Sequence, residues 1–158
     1  MILISACLAG RNCRYDSGTH GTDYLKIMEK YVLMPVCPEQ LGNLSTPRQP
    51  AEILGGTGLD VIKGNAKVMT EEGGDVTRNF IQGAAEVLDI ALKNYVQCAV
   101  FKERSPSCGC RYLYDGTFSG KLIRGGGVTT ALLKQNQIPV FSEEDLTAAC
   151  LIKRILKP

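Results

Sequence analysis

Short apolar runs typical of buried strands alternate along this chain with segments that have the spacing of a helix. The strand-like runs cover residues 2–6, 31–36 and 96–101, and the best helical pattern covers 75–94. This alternation is typical of parallel strands joined by crossover helices. The sequence therefore predicts an α/β fold, with a mainly parallel sheet and helices on both of its faces.

Further elements follow from shorter patterns. The irregular stretch 38–73 is long for a connection inside a compact domain, so we expect it to carry a small hairpin of its own. The predicted elements are helices over 22–30 (opened by Thr22 or Asp23) and 128–135, hairpins over 59–62 with 66–69 and around 114–117, a strand over 139–141, and a final helix opened by Ser142.

Composition limits the number of domains and the classes of partner. A chain of 158 residues with 44% hydrophobic residues is expected to form a single domain over 1–158. The formal net charge is only +2, and no long run of like charges occurs, which argues against a nucleic-acid polymer or a membrane surface as partner. The start, MILISACLAG, has neither a basic leader nor the length of a membrane span, so we expect a cytoplasmic protein.

Three of the seven cysteines come shortly after strand-like runs. Cys7 follows the first run, Cys37 follows the second, and Cys108 follows the third through the segment 102–107. Because the carboxyl ends of parallel strands meet at one edge of a sheet, we expect these three thiols to lie close together. In a reducing cytosol such a group indicates metal binding or thiol chemistry rather than disulfides.

The spacing of the cysteines excludes the common local metal motifs. The paired C-x2-C of zinc ribbons and the C-x2-C-x2-C run of ferredoxins are both missing, and the single histidine, His20, cannot complete a Cys2His2 site. Spacing alone leaves a metal or cluster and a set of buried or redox-active thiols as equal alternatives. Cys98 and Cys150 lie within apolar stretches and are expected to be buried structural thiols.

Four motifs occur in a fixed order along the chain. They are SACLAG at 5–10, CRYD at 13–16, CPE at 37–39 with LSTPR at 44–48, and KERSPSCG at 102–109. This ordered set resembles that of the bacterial 2-thiouracil desulfurase family, and four motifs in one order are far more specific than any one of them. The resemblance implies a three-layer, Rossmann-like domain with a [4Fe-4S] cluster on three cysteines, whose fourth iron is open to the sulfur of a substrate.

The resemblance also implies a set of ligands and a reaction. The cluster ligands would be Cys7, Cys37 and Cys108, while Cys13 would either replace Cys7 or act beside the cluster. Cys110 stands outside the family motifs. The reaction would be a non-redox desulfuration of thiouracil or a related thiolated nucleobase or nucleoside, in which water replaces the sulfur.

Acidic, basic and hydroxyl side chains accompany the cysteines in these motifs. Iron bound to a thiocarbonyl sulfur makes the attached carbon more electrophilic, and the attacking water then needs a base. Glu39 is the predicted base, with Glu103 as the second choice. Lys102 would donate a proton or stabilise the developing anion, and Ser105 and Ser107 would orient the substrate by hydrogen bonds.

Other polar residues are candidates for binding the substrate. We expect Arg14, Tyr15 and Asp16 to line the pocket, and Arg48 and Arg124 to attract an anionic group. The glycines at 125–127 lack both the Walker lysine and the G-x-G-x-x-G spacing, so they indicate a tight turn at a helix start rather than a phosphate site.

Two functions of other classes remain open at this point. The first is a cluster-binding sensor or interaction module without turnover, which would need the cysteines but neither Glu39 nor Lys102. The second is a cluster-free thiol protein with a redox pair, formed either by Cys7 and Cys13 or by Cys108 and Cys110.

Overall fold

A computed structural model describes residues 1–20 and 31–145. The strands of this part, in chain order, are β1 (Ile2–Ser5), β2 (Leu33–Val36), β3 (Ala51–Leu54), β4 (Lys67–Thr70), β5 (Cys98–Phe101), β6 (Tyr112–Tyr114), β7 (Leu122–Arg124) and β8 (Val140–Ser142). Its helices are α1 (Pro38–Leu41), α2 (Gly58–Ile62), α3 (Thr77–Lys93) and α4 (Val128–Gln135), with 3-10 turns at Ala6–Ala9 and Glu143–Asp145.

A parallel sheet of four strands forms the centre, in the order β2-β1-β5-β8. Ile2 of β1 stands opposite Leu33 of β2 on one side and Cys98 of β5 on the other, and all three neighbouring pairs run parallel. Every residue of β1 and β5 is buried, as expected for strands in the middle of a parallel sheet. The predicted α/β class with a mainly parallel sheet is confirmed.

Helices α3 and α4 cover one face of this sheet. The apolar residues that meet there come from both helices and from β1 and β5: Leu3, Val87, Ala91, Ala99, Phe101 and Leu133. The helix predicted over 22–30 and most of the helix predicted after Ser142 lie outside the described residues. The single domain over 1–158 stays a prediction. None of the described helices combines the length and the apolar character needed to cross a membrane.

Two antiparallel hairpins are inserted between the elements of the sheet, β3 with β4 and β6 with β7. The predicted strand over 66–69 and the hairpin around 114–117 are confirmed, but the strand over 59–62 is wrong, because these residues belong to α2. Thr57 and Asp60 form a capping box there, in which Asp60 accepts hydrogen bonds from the backbone N–H (2.8 Å) and the hydroxyl (2.9 Å) of Thr57. This local cap outweighs the strand preference of the apolar residues.

Helices α1 and α3 touch through their backbones. A Cβ atom on Gly83 would lie 1.9 Å from the carbonyl oxygen of Pro38, and one on Gly42 would lie 2.1 Å from that of Asn79. The side-chain amide of Asn79 also donates a hydrogen bond to the carbonyl of Gly42 at 2.8 Å. Only glycine allows this close approach of the two backbones. The contact fixes α1, which directly follows Cys37, against α3.

Candidate functional site

A cavity of about 560 Å³ opens at the carboxyl edge of β1, β2 and β5. Four cysteines line it: Cys7, Cys13, Cys37 and Cys108. The predicted convergence of the strand-end cysteines is therefore observed, and the volume is typical of a small-molecule site. All six cysteines in the described part of the chain have free thiols.

Cys7, Cys13 and Cys37 are neighbours in the cavity, and Cys37 is half-buried while Cys7, Cys13 and Cys108 are buried. Cys13 is a hydrogen-bonding neighbour of both Cys37 and Cys7, and the Cys37 thiol donates to the carbonyl oxygen of Cys13 at 3.7 Å. Although the bond from Cys37 lowers it, the bond to Cys7 and burial raise the pKa of Cys13 to about 11. The pKa of Cys37 is raised by its bond to Cys13 and by burial, and that of Cys108 by burial. With their pKa values raised, the thiols of Cys13, Cys37 and Cys108 are neutral at pH 7, so a bound cation is needed to turn them into thiolate ligands.

The donor set of the cavity fits an iron-sulfur cluster, since four thiols line it. Among residues 1–20 and 31–145, no group of three or more His, Cys, Asp or Glu side chains is arranged to hold one ion. Ligands of a cluster stand further apart, because each thiolate binds a different iron. His20 is not among the donors, since its Nε2 lies 2.7 Å from a guanidinium nitrogen of Arg14. The thiol groups around this cavity match an iron-sulfur cluster, because soft thiolate ligands favour the iron of such clusters.

Glu39 lies in the first turn of α1, two residues after Cys37, and its side chain lines the cavity. Arg48 binds its Oε2 twice, from Nε at 2.7 Å and from Nη2 at 2.6 Å. The same Nη2 donates to the carbonyl oxygen of Cys13 at 3.0 Å, so Arg48 ties this turn to the cysteine loop. Within the described residues both contacts to Glu39 use Oε2, which leaves Oε1 for a water or a substrate. Arg48 lines the cavity, and its guanidinium is engaged by protein groups. Its attraction of an anionic group stays a prediction.

Lys102 directly follows β5 and lines the cavity. Its ammonium forms an ion pair with Glu143, which directly follows β8. Glu143 is only 2% exposed, and it also accepts hydrogen bonds from the backbone N–H of Glu103 at 2.7 Å and the hydroxyl of Ser142 at 3.1 Å. Sequence reasoning assigned Glu143 to the first turn of a helix. The signal that it missed is a carboxylate placed immediately after a strand of the parallel sheet.

Glu103, the second choice for the base, has a different role. Its buried Oε1 accepts backbone hydrogen bonds from Cys110 at 2.9 Å, Arg111 at 3.0 Å and Tyr112 at 3.1 Å. Burial raises the pKa of this carboxyl, but the hydrogen bonds outweigh it and bring the pKa to about 2. A carboxylate so weakly basic and so fully bonded does not accept a proton from water. Glu103 instead closes the loop that carries Cys108.

The two predicted serines occupy opposite sides of that loop. The Oγ of Ser105 accepts hydrogen bonds from the backbone N–H of Ser107 at 3.2 Å and of Cys108 at 3.0 Å, and Ser105 lines the cavity. Ser107 is buried, bonds the Thr129 hydroxyl of α4 at 2.8 Å, and does not line the cavity. Its predicted contact with the substrate is therefore corrected to packing against α4.

The CRYD motif supplies one wall of the cavity. Arg14, Tyr15 and His20 line it, and the Arg14 guanidinium lies 5.6 Å from the centre of the Tyr15 ring. Burial, followed by the positive charges of Arg14 and Lys102, lowers the pKa of His20. Asp16 and Arg124 are exposed and do not line the cavity. Asp16 pairs with Arg14 at 3.1 Å, so we correct its predicted substrate contact to support of this loop.

The remaining thiols and the triple glycine have structural surroundings. Cys98 is buried within β5, and Cys150 lies outside the described residues. Cys110 is buried away from the cavity, and its thiol donates to the carbonyl of Cys108 at 3.5 Å. A Cβ on Gly127 would lie 2.4 Å from the carbonyl oxygen of Ser107, so these glycines allow α4 to begin against the Cys108 loop. The predicted turn at a helix start is confirmed.

Comparison with known proteins identifies the family. The family model for 2-thiouracil desulfurase matches residues 2–145. The chain belongs to the 2-thiouracil desulfurase family. This enzyme family is the one that the four sequence motifs resemble, so the resemblance is confirmed, and the match covers every residue of the cavity wall.

Two relatives of this desulfurase-family chain are similar over nearly their whole length. The uncharacterized protein YbbK of Bacillus subtilis (strain 168) is 48% identical over 147 residues, which are 92% of this chain and 97% of YbbK. The solved structure of the [4Fe-4S]-dependent thiouracil desulfidase TudS superposes with a TM-score of 0.83 at 39% identity, over 98% of both chains. At that identity and coverage the arrangement of the sheet and its insertions is shared.

Proposed function

We propose that this protein is a [4Fe-4S]-dependent desulfurase that replaces the sulfur of a thiocarbonyl by oxygen, acting on thiouracil or a related thiolated nucleobase or nucleoside. The observation that carries the proposal is the cavity at the sheet edge, where four thiols stand beside Glu39 and Lys102. Membership of the 2-thiouracil desulfurase family and the activity of TudS support it.

The cavity cysteines are the residues that would hold the cluster. Cys37 and Cys108 follow β2 and β5, and the third ligand is Cys7, with Cys13 as the alternative. Cys7 has the firmer position, because it belongs to the 3-10 turn Ala6–Ala9 that directly continues β1, whereas Cys13 lies in the following loop. When bound, the cluster supplies a Lewis-acidic iron that polarises the carbon-sulfur bond of the substrate.

The chain's own residues carry the proton transfers in this proposal. The Oε1 of Glu39 takes a proton from the attacking water, while Arg48 holds the other carboxylate oxygen in place. Lys102 stabilises the negative charge that develops on the ring, and Ser105 orients the substrate from the Cys108 loop. The reaction consumes water and thiocarbonyl compound and yields the carbonyl compound and hydrogen sulfide, with no change of oxidation state.

The test of the base is anaerobic release of sulfide from 2- and 4-thiouracil by the reconstituted protein. Glu39→Gln should lower kcat about 10²- to 10⁴-fold with the visible absorption of the cluster retained, since it removes the proton acceptor while its amide oxygen can still accept the hydrogen bonds of Arg48. Glu72→Gln, at an exposed position, is the matched control and should keep full activity. A Glu39→Gln variant with wild-type kcat, or a wild-type protein that binds the cluster without releasing sulfide, would contradict the proposal. The second result would favour the sensor.

The third ligand is tested by iron analysis. Cys7→Ser should lose most of its iron after anaerobic reconstitution, whereas Cys13→Ser should keep the iron content of the wild type. The reverse pattern would make Cys13 the ligand. Equal retention by both variants would show that neither thiol is required.

The proposal extends to the partner and the location. A small-molecule substrate in the cytoplasm fits a chain with a net charge of only +2 and with free thiols at all six described cysteines. The cavity walls hold cations and carboxylates in pairs, such as Arg48 with Glu39, rather than the continuous basic track that a nucleic-acid backbone needs.

A further inference from the structure

The carboxylate of Glu143 pairs with the cavity lysine, Lys102, at the carboxyl end of β8, the last strand in the order of the central sheet. The ends of β1, β2 and β5 are followed by the cysteines and Lys102, and the end of β8 is followed by Glu143. Glu143 lies about forty positions from Lys102 in the sequence but pairs with its ammonium in the structure. Each strand of the central sheet thus brings one chemically active side chain to the same edge.

Glu143 is too deeply buried to be an ordinary surface partner of a lysine. An ionised carboxylate that is 2% exposed is costly unless its oxygens are satisfied. Its oxygens are satisfied, since the ammonium of Lys102 takes Oε1 while the N–H of Glu103 and the hydroxyl of Ser142 bind Oε2. Lys102 is itself 19% exposed, and its Nζ also lies 3.4 Å from the carbonyl oxygen of Glu103.

The other carboxylates around Lys102 are already committed to different partners. Glu39 pairs with Arg48, and the Oε1 of Glu103 accepts hydrogen bonds from four backbone N–H groups of its own loop, the N–H of Arg104 at 3.3 Å among them. Glu143 is therefore the carboxylate assigned to Lys102. A lysine side chain has four rotatable bonds and loses much conformational freedom when its ammonium is fixed. A carboxylate partner is therefore needed to keep that charge at one point.

We propose that Glu143 is the positioning residue for Lys102, holding its ammonium at the cavity wall where the substrate ring becomes negatively charged. The inference rests on the proposed desulfurase function and adds to it the part played by β8. Removal of Glu143 frees the lysine to leave the wall, so the variant loses stabilisation of the reacting substrate while the cysteines and Glu39 remain in place.

A double-mutant cycle tests this role in the reconstituted holoenzyme. Glu143→Gln should lower kcat about 10- to 100-fold, the size expected when a reacting group is misplaced by about 1 Å, with KM and the cluster absorption little changed. Lys102→Met should have at least that effect. The double variant should match Lys102→Met within about twofold, because residues that act as one unit are not additive. A purely structural role would instead multiply the two losses.

The controls separate the possible failures. Glu144→Gln, in the same turn but at the surface where it pairs with Arg104, should retain wild-type kcat. Glu143→Asp keeps the charge but shortens the side chain by one carbon, which draws the carboxylate away from Lys102. It should therefore lower kcat, and it tests the proposal even if Glu143→Gln fails to fold. Wild-type kcat in either folded Glu143 variant would overturn the proposal while leaving the desulfurase function intact. Full activity of Lys102→Met would refute the role of Lys102, and this inference with it, while the desulfurase function would stand. No sulfide release by the wild type would refute the underlying function itself.

Discussion

Replacing Glu103 by glutamine should weaken the fold and the loop that carries Cys108. The side chain keeps its shape, but it loses the charge that four backbone N–H groups and the Arg111 side chain bind in the native protein. Those interactions bring the pKa of the carboxyl from 4.5 to about 2. Glutamine resembles the protonated carboxyl, so the variant should lose the preference of the folded protein for the charged form.

The size of the loss follows from the pKa. A difference of about 2.5 pKa units at about 1.4 kcal/mol each corresponds to about 3.5 kcal/mol of unfolding free energy. Because the folded pKa is lowered, this stabilisation is complete above about pH 4.5 and disappears as the pH falls through about 2. The difference between the wild type and Glu103→Gln should therefore shrink over this interval of acid pH.

Urea unfolding followed by circular dichroism measures both effects. With a slope of about 2 kcal/mol per molar urea, a loss of about 3.5 kcal/mol should lower the midpoint at pH 7 by about 1.8 M. The proteins should be compared anaerobically at equal iron content, with Glu72→Gln as the exposed glutamate control. A midpoint for Glu103→Gln equal to that of the control, or a difference that does not change between pH 5 and pH 3, would refute the reasoning.

Two further substitutions test contacts that shape the cavity. Gly83→Ala places a methyl group 1.9 Å from the Pro38 carbonyl and should cost about 2 kcal/mol, lowering the midpoint of thermal unfolding by about 4 to 8 °C; an unchanged or higher midpoint would contradict the contact. Glu52→Ala removes the acceptor of the Gly116 and Phe118 N–H groups, both at 3.0 Å, which hold the β6–β7 hairpin against the cavity. It should raise KM for thiouracil about tenfold, measured as sulfide release; a fall in kcat at unchanged KM would show that the hairpin does not shape the substrate wall.

Much of the sheet and its edge could be predicted from the sequence. The apolar runs of β1, β2 and β5 are local patterns, and the rule that parallel strands present their carboxyl ends together brings the cysteines to one cavity. The sequence does not predict strand β3, because in the described part of the chain its four residues pair with β4 alone, and such pairing depends on distant packing rather than on composition.

Side-chain partners over long sequence distances could not be predicted in the same way. Glu103 and Glu143 are acidic residues next to strands, a pattern that suits a catalytic base, a helix cap and a loop anchor equally well. Only the structure distinguishes these roles, since the partners of Glu143 include groups about forty positions earlier. Ser105 and Ser107 show the same limit, because two serines in one turn face opposite directions.

The wide separation of the strand-end cysteines along the chain has a consequence for stability. Cys7 and Cys108 stand at neighbouring strands, yet roughly 100 residues of chain run between them, and Cys37 divides that length unequally. Any centre that bonds both ends restrains the unfolded chain as a cross-link does, and a closed loop of this length corresponds to about 4 to 5 kcal/mol of chain entropy. The cysteines at the sheet edge would then cross-link the chain between Cys7 and Cys108. Loss of the bound centre would lower the stability of the fold and remove the reactive site at the same time.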